Sequence, residues 1–125
     1  MKHLLLVAAG GAIGASLRHL TNMAAMRIAG ASFPWGTVAV NLVGCLAMGI
    51  FIETLARRLG GSNELRLFVA TGLLGGFTTF SAFSLDFAVL YERGETAAAM
   101  GYAALSVAGS LTALFAGMAL ARSLF

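Results

Sequence analysis

The chain has 125 residues, 59% of them hydrophobic and only 10% charged, and its mean hydropathy is +0.90. Soluble domains carry about 25% charged residues, so an aqueous core is excluded and lipid is the expected solvent. The net charge of +3 comes from eight scattered Lys and Arg against five acids, with no basic face of the kind that marks a nucleic-acid partner.

A membrane span needs roughly 20 apolar residues, so four spans with short connections use nearly the whole chain. The expected fold is all-α: one four-helix transmembrane domain over residues 1–125, with spans at about 4–26, 35–55, 65–91 and 96–121. The start, Met1-Lys2-His3-Leu4-Leu5-Leu6, mimics a secretory signal, but the apolar character continues to Ala15 and reads as a first span. Gly10, Gly11 and Gly14, with four nearby alanines, suit close helix approach in lipid. Arg18 interrupts the span, either snorkelling to the interface or making an electropositive vestibule that draws anions in.

A loop from Arg27 to Pro34 leads to segment two, where Trp35 fits an interfacial anchor. Thr37 and Asn41 are four apart and share one face. Cys45 is the only cysteine, so neither an intrachain disulfide nor a cysteine metal cluster can form, and it reads as a small buried filler.

Segment three carries the densest anomaly, Gly72-Leu73-Leu74-Gly75-Gly76-Phe77-Thr78-Thr79-Phe80-Ser81-Ala82-Phe83-Ser84-Leu85-Asp86. Irregular backbone and clustered hydroxyls survive in hydrocarbon only where protein or a water-filled path surrounds them. The stretch therefore reads as a broken helix lining an ion site, with Asp86 marking its far end. Unwound backbone at Gly75–Thr78 is either a plain kink that assists packing or a set of carbonyls able to hold Na⁺. Phe80 and Phe83, three apart, are either core packing or aromatic edges, whose partial positive charge can hold an anion weakly. In segment four, Ser106 and Ser110 again share a face.

No catalytic constellation, metal-ligand spacing or phosphate loop is present, so an enzyme is not expected. The neutral hydroxyl and amide set (Thr37, Asn41, Thr78, Thr79, Ser81, Ser84, Ser106 and Ser110) is instead what a small-anion path requires. The side holding both termini carries Lys2, Arg57, Arg58, Arg66 and Arg122; the other carries Arg27 and Arg93, or three with Arg18. So small a bias predicts insertion in both orientations and an antiparallel two-fold dimer.

At Gly75-Gly76-Phe77-Thr78-Thr79-Phe80-Ser81-Ala82-Phe83-Ser84 and Gly36-Thr37-Val38-Ala39-Val40-Asn41-Leu42 the sequence resembles the Fluc/CrcB small fluoride channels. Gly14–Arg18 and Ser106–Ser110 also match, and the resemblance runs through all four segments in order. It implies a multi-pass protein of the cell (inner or plasma) membrane, a dual-topology antiparallel homodimer with two pores, and passive fluoride efflux that protects against fluoride toxicity. It implies a central structural Na⁺ held by carbonyls of Gly75 and Thr78 from both subunits. It places Asn41, Phe80 and Phe83 in the fluoride pathway, with Thr79, Ser81, Ser106 and Ser110 as its hydroxyls, Tyr102 nearby and Arg18 in the vestibule. Ala82 stands where many members have threonine, which removes one hydroxyl here. The competing readings are a small dual-topology multidrug-type transporter, which wants an intramembrane carboxylate, and a structural membrane subunit without transport.

Overall fold

The computed structural model describes residues 1–125 and contains only helices. Helix α1 spans Lys2–Ala29, α2 spans Trp35–Arg58, α3 covers residues 63–77, α4 spans Ser81–Glu92 and α5 spans Thr96–Leu124. Helices α3 and α4 are two halves of one span, Asn63–Glu92, so four helical rods are long and apolar enough to cross a membrane. The rods cover Lys2–Ala29, Trp35–Arg58, Asn63–Glu92 and Thr96–Leu124, against expected spans of about 4–26, 35–55, 65–91 and 96–121. Lengths of 24 to 30 residues correspond to roughly 36–45 Å of helix, so each rod outreaches a ~30 Å hydrocarbon core.

Gly30, directly after α1, and Gly94, separated from the end of α4 by Arg93, take positive φ (78° and 81°), a conformation that glycine reaches without a Cβ clash. Pro34 then opens α2. Ser62 caps α3, its Oγ accepting the Leu65 N–H at 3.3 Å.

Two close-packed pairs build the bundle. Helix α1 lies on α3, where Gly10 and Gly14 of α1 meet the backbone of Phe68 and Leu73, and Gly72 and Gly76 of α3 meet α1 in return. Helix α2 lies on α5, with Gly49 against Leu114 O and Gly117 against Leu46 O. Such approach is available only to small residues, and in lipid it supplies the packing that hydrophobic burial cannot. Because Leu42 meets Gly109 and Leu46 meets Gly117, α2 and α5 run in the same direction.

One feature of α3 is not legible in the sequence. Over Arg66–Leu74 the helix is π-wound, a wide form that is rare and frequent at functional sites. The break follows at Thr78, whose ψ of 160° is extended.

Only 18 of the 125 residues are buried, and the chain exposes 7249 Å², against about 6,300 Å² for a compact soluble chain of 12.8 kDa. The excess is apolar and spread over all four rods, as a lipid-embedded chain requires. At the rim, Glu53 joins α2 to α5 by accepting from Arg57 (3.0 Å) and Arg122 (2.8 Å). Lys2 pairs with Glu64 at 2.6 Å.

Candidate functional site

The break in the third span is held from outside. Asn41, on α2, donates through Nδ2 to the Thr79 carbonyl (2.9 Å), and its Oδ1 accepts the Thr79 N–H (2.8 Å). The side-chain amide thus replaces a backbone partner on both sides of one unwound residue. Thr79 Oγ1 accepts the Ala82 N–H at 3.1 Å and so starts α4. Thr78 turns its hydroxyl back onto the Leu74 carbonyl at 3.0 Å. Among backbone hydrogen bonds outside the regular helices, none ends on the carbonyls of Gly75, Gly76, Phe77 or Thr78. Helix α3 stops there before it can supply i+4 partners.

The hydroxyl set divides once each proton is followed. Thr37 donates to Asp86 Oδ2 (2.7 Å), Ser84 to the Phe80 carbonyl (3.1 Å) and Thr78 to Leu74. Asn41 spends Oδ1 and one of its two Nδ2 hydrogens on Thr79. Thr79 accepts a bond through Oγ1 without spending its proton there, and Ser81 Oγ lies 3.5 Å from it. Ser106 is 3% exposed, and its Oγ has no hydrogen-bond partner although it is one turn from Tyr102. A buried hydroxyl left unpaired costs free energy.

Ser106 also lines a cavity of about 430 Å³, together with Asn41, Thr78, Thr79, Phe83 and Ser110 and with Gly75, Phe80 and Cys45. It contains no charged side chain. Phe80 and Phe83 are tilted at 5.4 Å between centroids, and Phe83 continues to Tyr102 at 5.2 Å. Phe80 is 75% exposed on the outside of the chain.

Asp86 corrects the sequence reading, which set it at the rim of its span. Its Oδ2 accepts from Thr37 and from the fully buried Tyr102 hydroxyl (3.0 Å), so one carboxylate joins α2, α4 and α5. It also lines a second cavity of about 420 Å³, bounded by Asn22, Phe33, Trp35, Gly36, Thr37 and Arg93. Its partners lie 49 and 16 residues away in sequence, and no local pattern announces such a junction.

Most residues singled out in the sequence therefore meet. Gly75, Thr78, Thr79, Asn41, Phe80, Phe83, Ser106 and Ser110 share one cavity, and Tyr102 closes its aromatic end. Two do not join them. Ser81 is exposed beside Thr79. Arg18 lies on α1, lining neither cavity, its Nε buried without a partner.

Sequence comparisons identify the family. A family profile described as "CrcB-like protein, Camphor Resistance (CrcB)" matches residues 5–118. The chain belongs to the CrcB family. It is 67% identical over 124 residues, 99% of both chains, to a protein of Mesorhizobium japonicum named fluoride-specific ion channel FluC. Proteins of the same name from Chelativorans sp. and Agrobacterium fabrum are 62% identical over 99% of each chain and 53% identical over the whole of each. The CrcB family is one of ion channels, not enzymes, and this member is a multi-pass membrane protein.

Proposed function

We propose that this CrcB protein is a fluoride-specific channel giving passive fluoride efflux, and thereby resistance to fluoride toxicity. The observation that carries the reading is the Ser106 hydroxyl, buried and unpaired in an uncharged cavity edged by Phe83 and Phe80. A small anion must exchange water for donors that release it again. A neutral O–H beside aromatic edges does so without the trap of a fixed positive charge. Relatives that carry the channel name align over the full chain, which supports the same assignment.

The pathway wall in one chain is open, because Phe80 and Gly75 are exposed. The reading therefore includes a second copy, in an antiparallel, dual-topology homodimer with two pores. The same pairing suits a structural Na⁺. The residues fit it: carbonyls of Gly75 and Thr78 carry no partner among the backbone bonds outside the helices, and no acidic or histidine cluster offers a competing metal site. Carbonyl oxygens of these two residues, doubled by the second copy, would hold the ion and tie the two breaks together. Arg18 belongs to the vestibule in this reading, and its unpaired Nε is a donor for an approaching anion.

The test is efflux from liposomes containing purified protein, followed with fluoride and chloride electrodes. Fluoride efflux without chloride efflux is expected. Proton-coupled cation uptake would establish the multidrug-type transporter instead, with Asp86 as its carboxylate. No flux of either kind would leave a structural subunit.

A further inference from the structure

Helices α2 and α5 run in parallel, and their polar residues repeat in step. Thr37, Asn41 and Cys45 are spaced i, i+4, i+8 on α2, and Tyr102, Ser106 and Ser110 have the same spacing on α5. At the first rung Thr37 and Tyr102 bind the same Asp86 oxygen. At the second, Asn41 and Ser106 wall the same cavity; at the third, so do Cys45 and Ser110. The sequence reading treated Cys45 as a buried filler, but it is only partly buried and lines the same cavity as Ser106, whose buried Oγ has no partner.

Resting on the channel reading, we propose that Cys45 is a thiol modification site inside the anion pathway, and that a small thiol-directed reagent bound there closes it. The thiol stands one helical turn from the Asn41 clasp, so a group added to its sulfur enters the cavity that Ser106 and Ser110 line. Methyl methanethiosulfonate is a suitable probe, being neutral and small. The Cys45 thiolate is the nucleophile. It attacks the sulfenyl sulfur, the reagent's S–S bond breaks, and methanesulfinate leaves with the bonding pair. A methyl disulfide forms on Cys45, and the thiol proton goes to buffer. Dithiothreitol reverses the change by supplying two electrons and is itself oxidised to its cyclic disulfide.

The experiment uses the full chain in liposomes and compares fluoride efflux with and without reagent, each protein against its own untreated rate. Intact mass reads the labelling separately, because Cys45 is the only cysteine. The wild type is expected to take one label and lose about tenfold or more of its efflux, as a constricted pore does, with recovery in dithiothreitol. Cys45→Ser should show no change on treatment. Val43→Cys in the Cys45→Ser background should take the label without closure, since Val43 faces outward on the same helix (57% exposed). Full labelling of Cys45 with unchanged efflux overturns the proposal, as does failure of native Cys45 to label while denatured protein labels. Closure through the Val43→Cys site overturns it too. A wild type that labels but never conducts fluoride overturns the channel reading, and the closure claim with it.

Discussion

Asn41 shows how one side chain serves backbone and pathway together. Its Oδ1 and one Nδ2 hydrogen are committed to Thr79, so it positions the break and keeps its second N–H as a donor. Asn41→Asp keeps one acceptor but loses the Nδ2 bond and faces the Thr79 carbonyl with a negative charge. It should cost about 1–3 kcal/mol and abolish fluoride efflux, measured as the unfolding midpoint in detergent and the electrode trace; a stable variant that conducts would place Asn41 outside both roles. Phe80 makes a different case, because its ring is 75% exposed and packs against Phe83 alone among the aromatic rings. Phe80→Ile removes the aromatic edge, worth about 0.5–1.5 kcal/mol, and efflux should fall about tenfold while the protein elutes unchanged on sizing; a wild-type rate removes Phe80 from the path. Both residues were legible in the sequence, since an amide in mid-span and paired rings beside a break are anomalies by residue type alone. Cys45 was not, because an apolar run disguises a thiol, although its i+4 step from Asn41 was there to be read.

The elements explain which parts of the site a sequence can reveal. Helix extents followed from hydropathy, and the break from the Gly-Gly and Thr-Thr pairs. The π-wound turn over Arg66–Leu74 did not, because no composition rule separates it from an ordinary apolar helix. Its register brings Gly72 and Gly76 against α1, which is a tertiary fact. The Asp86 junction is of the same kind: Thr37 and Tyr102 are unremarkable alone and meaningful only when α2, α4 and α5 converge. Since both hydroxyls bind one oxygen, Thr37→Val and Tyr102→Phe should be non-additive. A double-mutant cycle on thermal unfolding in detergent should give a coupling of about 0.5 kcal/mol or more; strict additivity would mean that the two bonds act separately. The α2–α5 contact yields a sharper test. A Cβ at Gly49 meets Leu114 O, so Gly49→Ala should destabilise by about 1–3 kcal/mol, whereas Gly101→Ala, where a Cβ meets nothing, should leave the midpoint unchanged or raise it.

At the scale of the whole molecule, Phe80 and Gly75 are exposed and the cavity is open on one side, the side that the proposed second copy would cover. An antiparallel partner supplies the missing wall only if chains insert in both orientations, and the charge distribution bears directly on that. Lys2, Arg57, Arg58, Arg66 and Arg122 stand on the terminal side against Arg27 and Arg93, with Arg18 between. Added C-terminal charge can reset a topology, so orientation here should be easy to force. Three lysines appended after Phe125 should confine a C-terminal reporter to the cytoplasmic side, whereas the unmodified chain should report on both. Efflux should fall with the loss of opposed partners. It should return when that chain is co-expressed with one carrying Ala31→Lys and Ser32→Lys, substitutions in the loop on the opposite side, whose backbone already receives Arg93 at the Ser32 carbonyl. The assembled protein in detergent should have twice the 12.8 kDa of one chain. A one-sided reporter on the unmodified chain, with efflux intact, would remove the antiparallel pair and require the open wall to be closed by lipid or by a parallel copy. Rescue by the oppositely biased chain, and by no other, would tie conduction to the meeting of two inverted breaks.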